Sequence, residues 1–346
     1  MQRRFLFSVL LSLAGASLAP LASANAPVSL RVLTHSSFDL PKEQLAQFEK
    51  EAGVKLQIVK GGDAGEMTNK LILTKARPIA DVVYGIDNTL LPRALAAGVI
   101  EPYTGPAAQR PSAAPLEGGV VPVDYGFVTL NIDKAWFAKS GLALPTRLDD
   151  LTKPAYAKLL VVQNPATSSP GMAFLLATIG GLGEEKAFAW WKAMRANGVK
   201  VAKGWTEAYY TEFTRNGGTR PIVVSYASSP AAEVFYSKDK ITESPTANLL
   251  LPGGVFRQVE GVALVKGGSP AAREAAGRFI EFMRSPAVQQ SLQTTMWMYP
   301  AEAGATHVEV MQRHAAVPAV HDNPPAAEAA AKSRAWVQRW TRTVLK

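Results

Sequence analysis

The stretch VSLRVLTHSSFDLPKEQLAQFEKEAGVKLQIVK, residues 28–60, decides the fold class. Apolar side chains alternate at Val28, Leu30 and Val32, the period of a half-buried strand. At Pro41 the period changes: proline suits a first helical turn, and Leu45 and Phe48 share one helical face. VKLQIVK then alternates again. Downstream, GEMTNKLILTKAR (65–77) returns to a helical pattern, ADVVYGI (80–86) reads as a short buried strand and TLLPRALAAG (89–98) as a helix. Strands alternating with helices imply parallel strands joined by crossover helices, an α/β layer fold. Such sheets collect ligands beyond the carboxyl ends of their strands. THSSF (34–38), GGDAG (61–65) and GIDNTL (85–90) therefore lie on one rim, with Asp63 and Asp87 among them.

A second α/β unit begins near VPVDYGFVTLNIDK (121–134) and continues through KLLVVQNP, GMAFLLATIGG, EEKAFAWWKAMRANG and VKVAKGW. VPVDYGFVTLN and PIVVSYASSP (221–230) are expected to bracket this unit, with FRQVEGVALVKG and SPAAREAAGRFIEFMRSPAVQQSL returning to the first. The expected division is residues 27–124 with about 246–310 in one lobe, and 125–245 with about 311–346 in the other. Two strand crossings would join the lobes and leave a cleft between them.

The beginning of the chain reads as an address. Arg3 and Arg4 precede the apolar run FLFSVLLSLAGASLA (5–19), and the small residues LASANA follow, so residues 1–24 match a cleavable export signal. The run is too short for a spanning helix. The chain has no cysteine, which excludes both a disulfide framework and lipid attachment at an N-terminal thiol. An exported, soluble, monomeric protein of the bacterial periplasm is expected. The formal net charge of +9 falls by two on loss of the leader, and its charges are scattered rather than gathered for nucleic acid. The one dense basic segment, KSRAWVQRWTRTVLK, sets Trp336 and Trp340 four residues apart on one helical face. It reads as a helix docking its tryptophans on a lobe, with binding to a membrane surface as the alternative.

Catalytic signatures are weak. There is no nucleophile elbow, zinc-protease motif or phosphate loop, and Ser237 with Lys240 makes an S-x-x-K lacking its companion motifs. His35, His307, His314 and His321 lack close metal-ligand spacing. No enzyme activity, cofactor or metal is expected. The rim segments suit binding instead. Ser168 and Ser169 precede Pro170 and an apolar helix, which reads as a simple cap or as a helix start presenting N–H groups to an anion. Trp205 follows a glycine, Tyr226 and Ser229 end a strand, and TTMWMYPA (294–301) sets Trp297 among methionines, as core or as an aromatic platform. Aromatics mixed with carboxylates suit a flat organic cation.

These segments also carry a resemblance. ADVVYGIDNTLL, VPVDYGF, PATSSPGM, AKGWTEAY, VSYASSP and MWMYP, in that order, resemble the bacterial periplasmic solute-binding proteins of ABC importers, and within them the thiamine binders. The likeness spans about residues 28–345. It implies a two-lobed periplasmic-binding-protein fold that closes on thiamine or its phosphates and delivers them to a membrane permease. By position it implies ligand contacts at Asp63 with the backbone of Ala64, a phosphate-side helix start at Ser168 and Ser169, contacts at Trp205 and along Tyr226, Ala227, Ser228 and Ser229, and an aromatic wall at Trp297; Asp87 and His35 complete the expected site. His35 stands where the family has tyrosine, a family tryptophan a few residues later has no counterpart, and Ala232 replaces another tyrosine, so the aromatic box is thinned. The runner-up is a ferric-iron binder of the same superfamily. It would use His35 and adjacent tyrosines, but Tyr226 is followed by Ala227.

Overall fold

The computed structural model describes residues 27–346. The expected export signal, residues 1–24, lies outside the described residues. The strands in chain order are β1 (Val28–Thr34), β2 (Val54–Lys60), β3 (Val82–Asp87), β4 (Ile100–Glu101), β5 (Val121–Asp133), β6 (Leu160–Gln163), β7 (Lys200–Ala202), β8 (Ile222–Tyr226), β9 (Thr246–Leu249), β10 (Phe256–Val265) and β11 (Tyr299–Pro300). β1 pairs in parallel with β2 and β3, and the helix Lys42–Ala52 joins the first two. That helix follows Pro41, buries Phe48 and stops at Gly53, whose φ of 65° suits glycine. The opening stretch folds as its periodicity predicts.

All these strands belong to one continuous sheet, ordered β2-β1-β3-β10-β5-β8-β6-β7 along its main path. β5 and β10 pair antiparallel at its centre and cross between its two halves. The second half of β10 pairs with β3, whereas the second half of β5 pairs with β8 and β9. The crossing strands are therefore β5 and β10, and PIVVSYASSP forms β8 inside the second half rather than a crossing. The return also comes later than about residue 246, because Leu249, Leu251 and Phe256 pack into the second half's core.

Each half has its own core. Leu30, Val32, Tyr84, Phe279 and Met283 anchor the first, and Phe174, Trp190, Trp191, Trp336 and Trp340 the second. The C-terminal helix Ala326–Trp340 docks on the second half by its tryptophans, as expected: Trp336 and Trp340 are buried, and Trp340 meets Trp191 edge to face at 5.5 Å. No described helix is long and apolar enough to cross a membrane.

At the crossing, β10 shifts register against β5 and β3 on either side of Gly261. Asp124 and Glu260 face each other at this shift, both buried. A bulge re-aims side chains locally, and here it leaves two acids beneath the gap between the halves.

Candidate functional site

A cavity of about 290 Å³ lies between the halves, at the size of a small-molecule site. His35, Asp63, Ala64, Ser169, Trp205, Tyr226, Ser228, Ser229 and Trp297 line it. Asp87, Ser168 and Ala227 do not; they are wholly buried behind its wall.

Asp63 ends the loop after β2 and caps the helix Ala64–Leu73 by accepting from the Ala64 N–H at 2.7 Å. The same carboxyl reaches across the gap, accepting from the backbone N–H groups of Ser169 at 3.2 Å and Trp205 at 2.9 Å. Beside it, Ser169 Oγ donates to Asp87, which also accepts from Thr89 and Leu90. Two carboxyls from the other half therefore meet the start of the helix Ser169–Leu182, Asp63 at the Ser169 N–H and Asp87 at the Ser169 hydroxyl. An unsatisfied helix N-terminus attracts the nearest anion, and the chain supplies its own. The halves touch closely here: a Cβ on Gly65 would lie 2.5 Å from the Thr167 carbonyl carbon, and the Glu66 N–H donates to that carbonyl's oxygen.

The floor is acidic. Tyr84 Oη donates to Asp124 at 2.5 Å and lies 3.3 Å from Glu260, while Gln258 donates to Glu260 at 3.0 Å. Burial pushes Asp124 well above the usual carboxylate range, and the Glu260 carboxylate adds to the effect. Burial also raises Asp63 against the pull of its donors, and pushes Asp87 up to about 7. His35 Nε2 stands 3.5 Å from Glu260 with no hydrogen bond, and its ring packs on the bare face of Gly85, where a Cβ would collide with it. Burial alone would lower the imidazole's pKa, but Glu260, with Asp63 and Asp87 behind it, raises it above the ordinary histidine value.

Aromatic rings form the walls. Trp205 stacks on Tyr209 at 5.1 Å and 19°, and its Nε1 donates to Ser225 Oγ at 2.8 Å. Trp297 holds a φ of 60°, unusual for a bulky residue, and its carbonyl accepts from Ser228 Oγ at 2.6 Å. Met298 and Tyr299 beside it are buried. TTMWMYPA is thus both things: Trp297 faces the cavity with Met296 and Met298 beside it, and Tyr299 is core. One helical turn beyond Ala232, Tyr236 also lines the cavity and meets the Trp297 ring at 5.5 Å. The box has an aromatic there after all, one turn later than expected.

Sequence reasoning missed Glu260, Arg215 and Tyr236, all lining the cavity. Glu260 had a readable signal, a lone acid inside the apolar strand FRQVEGVALV.

Residues 77–322 match the model of the bacterial extracellular solute-binding protein family. The chain is 31% identical over 326 residues to the thiamine-binding periplasmic protein of Brucella suis, covering 92% of each. It is 32% identical over 302 residues to the protein of that name from Escherichia coli, covering 86% of each. Among solved structures, a periplasmic thiamin binding protein superposes with a TM-score of 0.80 at 28% identity, covering 96% of this chain and 99% of that one.

Proposed function

Because the chain belongs to the bacterial extracellular solute-binding protein family, we propose that it is the periplasmic binding component of an ABC importer, taking up thiamine and its phosphates. It holds the ligand, unaltered and as a monomer, in the cleft between two lobes and presents it to an inner-membrane permease. The lobes are the two halves of the sheet, hinged at β5 and β10. The observation that carries this reading is a cavity with Trp205 and Trp297 on its walls and Glu260 on its floor. Thiamine carries two flat heteroaromatic rings joined by a methylene, one of them, the thiazolium, with a fixed positive charge. Rings supply stacking and cation–π attraction, and Glu260 on the floor supplies the countercharge. His35, Asp63, Ala64, Ser169, Tyr226, Ser228 and Ser229 complete the contacts, while Asp87, Ser168 and Ala227 support them from behind.

The ferric reading finds less support. Of the adjacent pair Tyr209 and Tyr210, both lining the cavity, the Tyr209 hydroxyl is taken up by Glu233 at 2.8 Å.

Titrating the exported protein with thiamine by calorimetry, alongside native mass spectrometry of unsupplemented protein, tests the reading. The expected result is saturable one-to-one binding and release of intact thiamine. No heat with thiamine, or an iron adduct in its place, overturns it.

The acid floor sets a pH dependence. A cationic ligand favours neutral His35 and ionised Asp87. The raised pKa of His35 keeps it protonated toward neutrality, and Asp87 at about 7 loses its charge as pH falls. Both effects weaken binding in acid. Affinity for thiamine should fall roughly tenfold from about pH 8 to about pH 5.5, with protons released on binding, read as buffer-dependent heats. A flat profile would remove both groups from the ligand's surroundings.

A further inference from the structure

The floor carries two carboxyls where a ligand ring with a single positive charge needs one. Asp124 on β5 and Glu260 on β10 stand directly opposite each other in the register, and both are buried. Opposed side chains on paired antiparallel strands share a face, with Cβ atoms about 5 Å apart, and the two carboxyls are within hydrogen-bonding reach. Glu260 lines the cavity, whereas Asp124 lies wholly behind it. Their surroundings are unequal. Tyr84 Oη stands 2.5 Å from Asp124 Oδ2 and 3.3 Å from Glu260 Oε2, and the shorter contact commits its proton to Asp124. Tyr84 keeps that proton, because burial and the two acids raise it well above the usual phenol range. The other Glu260 oxygen accepts from Gln258 Nε2 at 3.0 Å. Asp124 Oδ1 is buried and has no donor among the described residues.

A buried carboxylate oxygen without a donor, beside a second carboxylate, is penalised by desolvation and by like-charge repulsion. A proton on Asp124 Oδ1 removes both penalties and turns that oxygen into a donor for Glu260. Burial and the Glu260 charge push the Asp124 pKa up in the same sense. The other titratable groups facing the pair are Asp87 on β3, His35 after β1, Asp63 after β2 and Tyr226 on β8. Of these His35 is the base, and it stands 3.5 Å from Glu260, so it too favours the negative charge on Glu260.

We propose that Asp124 and Glu260 hold one proton between them, resident on Asp124, and that Asp124 is a positioning residue: it keeps Glu260 as the single negative charge of this pair and fixes that carboxylate for the ligand's cationic ring. The proposal rests on the thiamine reading and deepens it by matching one charge on the ligand to one on the pair. A second ionised acid behind Glu260 would burden the empty protein with repulsion and reach no ligand.

Infrared spectroscopy tests the proton without a ligand, and calorimetry with thiamine tests its use. At about pH 8 Asp87, at about 7, has largely ionised. Wild type should still show the carbonyl band of a neutral carboxylic acid there, and Asp124→Asn should lose it. A wild type without the band carries both charges and overturns the proposal, and a band that persists in Asp124→Asn places the proton elsewhere with the same consequence. In calorimetry, Glu260→Gln should weaken thiamine about tenfold or more, and Asp124→Ala, which removes the donor to Glu260, about tenfold. Asp124→Asn keeps a neutral donor toward Glu260 and an oxygen for Tyr84, so it should recover to within about threefold of wild type. If Asp124→Ala fails to fold, the comparison of Asp124→Asn with Glu260→Gln still decides. Equal losses in those two would make Asp124 a second countercharge and overturn the proposal. Absence of thiamine binding by wild type would overturn the functional reading instead, while the infrared band still judges where the proton sits.

Discussion

Asp63→Ala is expected to weaken thiamine binding by about a hundredfold or more. The Asp63 carboxyl accepts three backbone N–H groups, and two of them, from Ser169 and Trp205, belong to the opposite half. Hydrogen bonds to a charged group contribute about 1.5–3 kcal/mol each, so losing the two crossing bonds costs the closed form about 3 kcal/mol or more. The start of the helix Ser169–Leu182 is then left with unpaired donors in a buried place, which adds to the cost. Asp63→Asn isolates one of the crossing bonds. An amide oxygen at the Oδ1 place keeps both the cap on the helix Ala64–Leu73 and the bond from Ser169, but the amide nitrogen cannot accept from the Trp205 N–H. The asparagine variant should keep wild-type thermal stability and still bind roughly tenfold more weakly. Wild-type affinity in both variants would show that Asp63 does not hold the halves together on the ligand.

Trp205→Ala and Trp297→Ala should each weaken thiamine by about 1–3 kcal/mol, from lost apolar contact and cation–π attraction. The two differ in what else they disturb. Trp205 also holds Ser225 through its Nε1 and stacks on Tyr209. Trp205→Phe, which keeps a ring without the N–H, should therefore recover part of the loss. Trp297 reaches the opposite half through its backbone carbonyl, which alanine retains, so its loss should report the ring alone. Tryptophan fluorescence should change on titration of wild type and change less in each variant. Unchanged affinity in both alanine variants would reduce the two rings to structural wall.

Much of the architecture is legible in local periodicity. Residues 28–60 form strand, helix and strand as their spacing predicts, because burying one face of each element demands that spacing. Trp336 and Trp340 dock inward for the same reason. The crossing strand was less legible. β8 and β10 are both apolar runs with a polar end, and periodicity does not distinguish a strand inside one half from one that passes between halves. Tyr236 was missed because a position-by-position comparison ends at Ala232, whereas a helix offers the next turn as an equivalent place.

The sequence by itself determined the α/β alternation, the aromatic and acidic character of the rim, and the absence of a thiol for covalent chemistry or disulfides. Each is a property of residue types or of spacing along a few turns. Only the tertiary structure decided that Asp63 and Asp87 close on the helix start at Ser169, and that Glu260 and Asp124 meet under the cavity. These partners lie far apart in the chain. Periodicity states which face of an element must be covered, but what covers it depends on how the two halves meet, and that is set by the packing of the whole sheet.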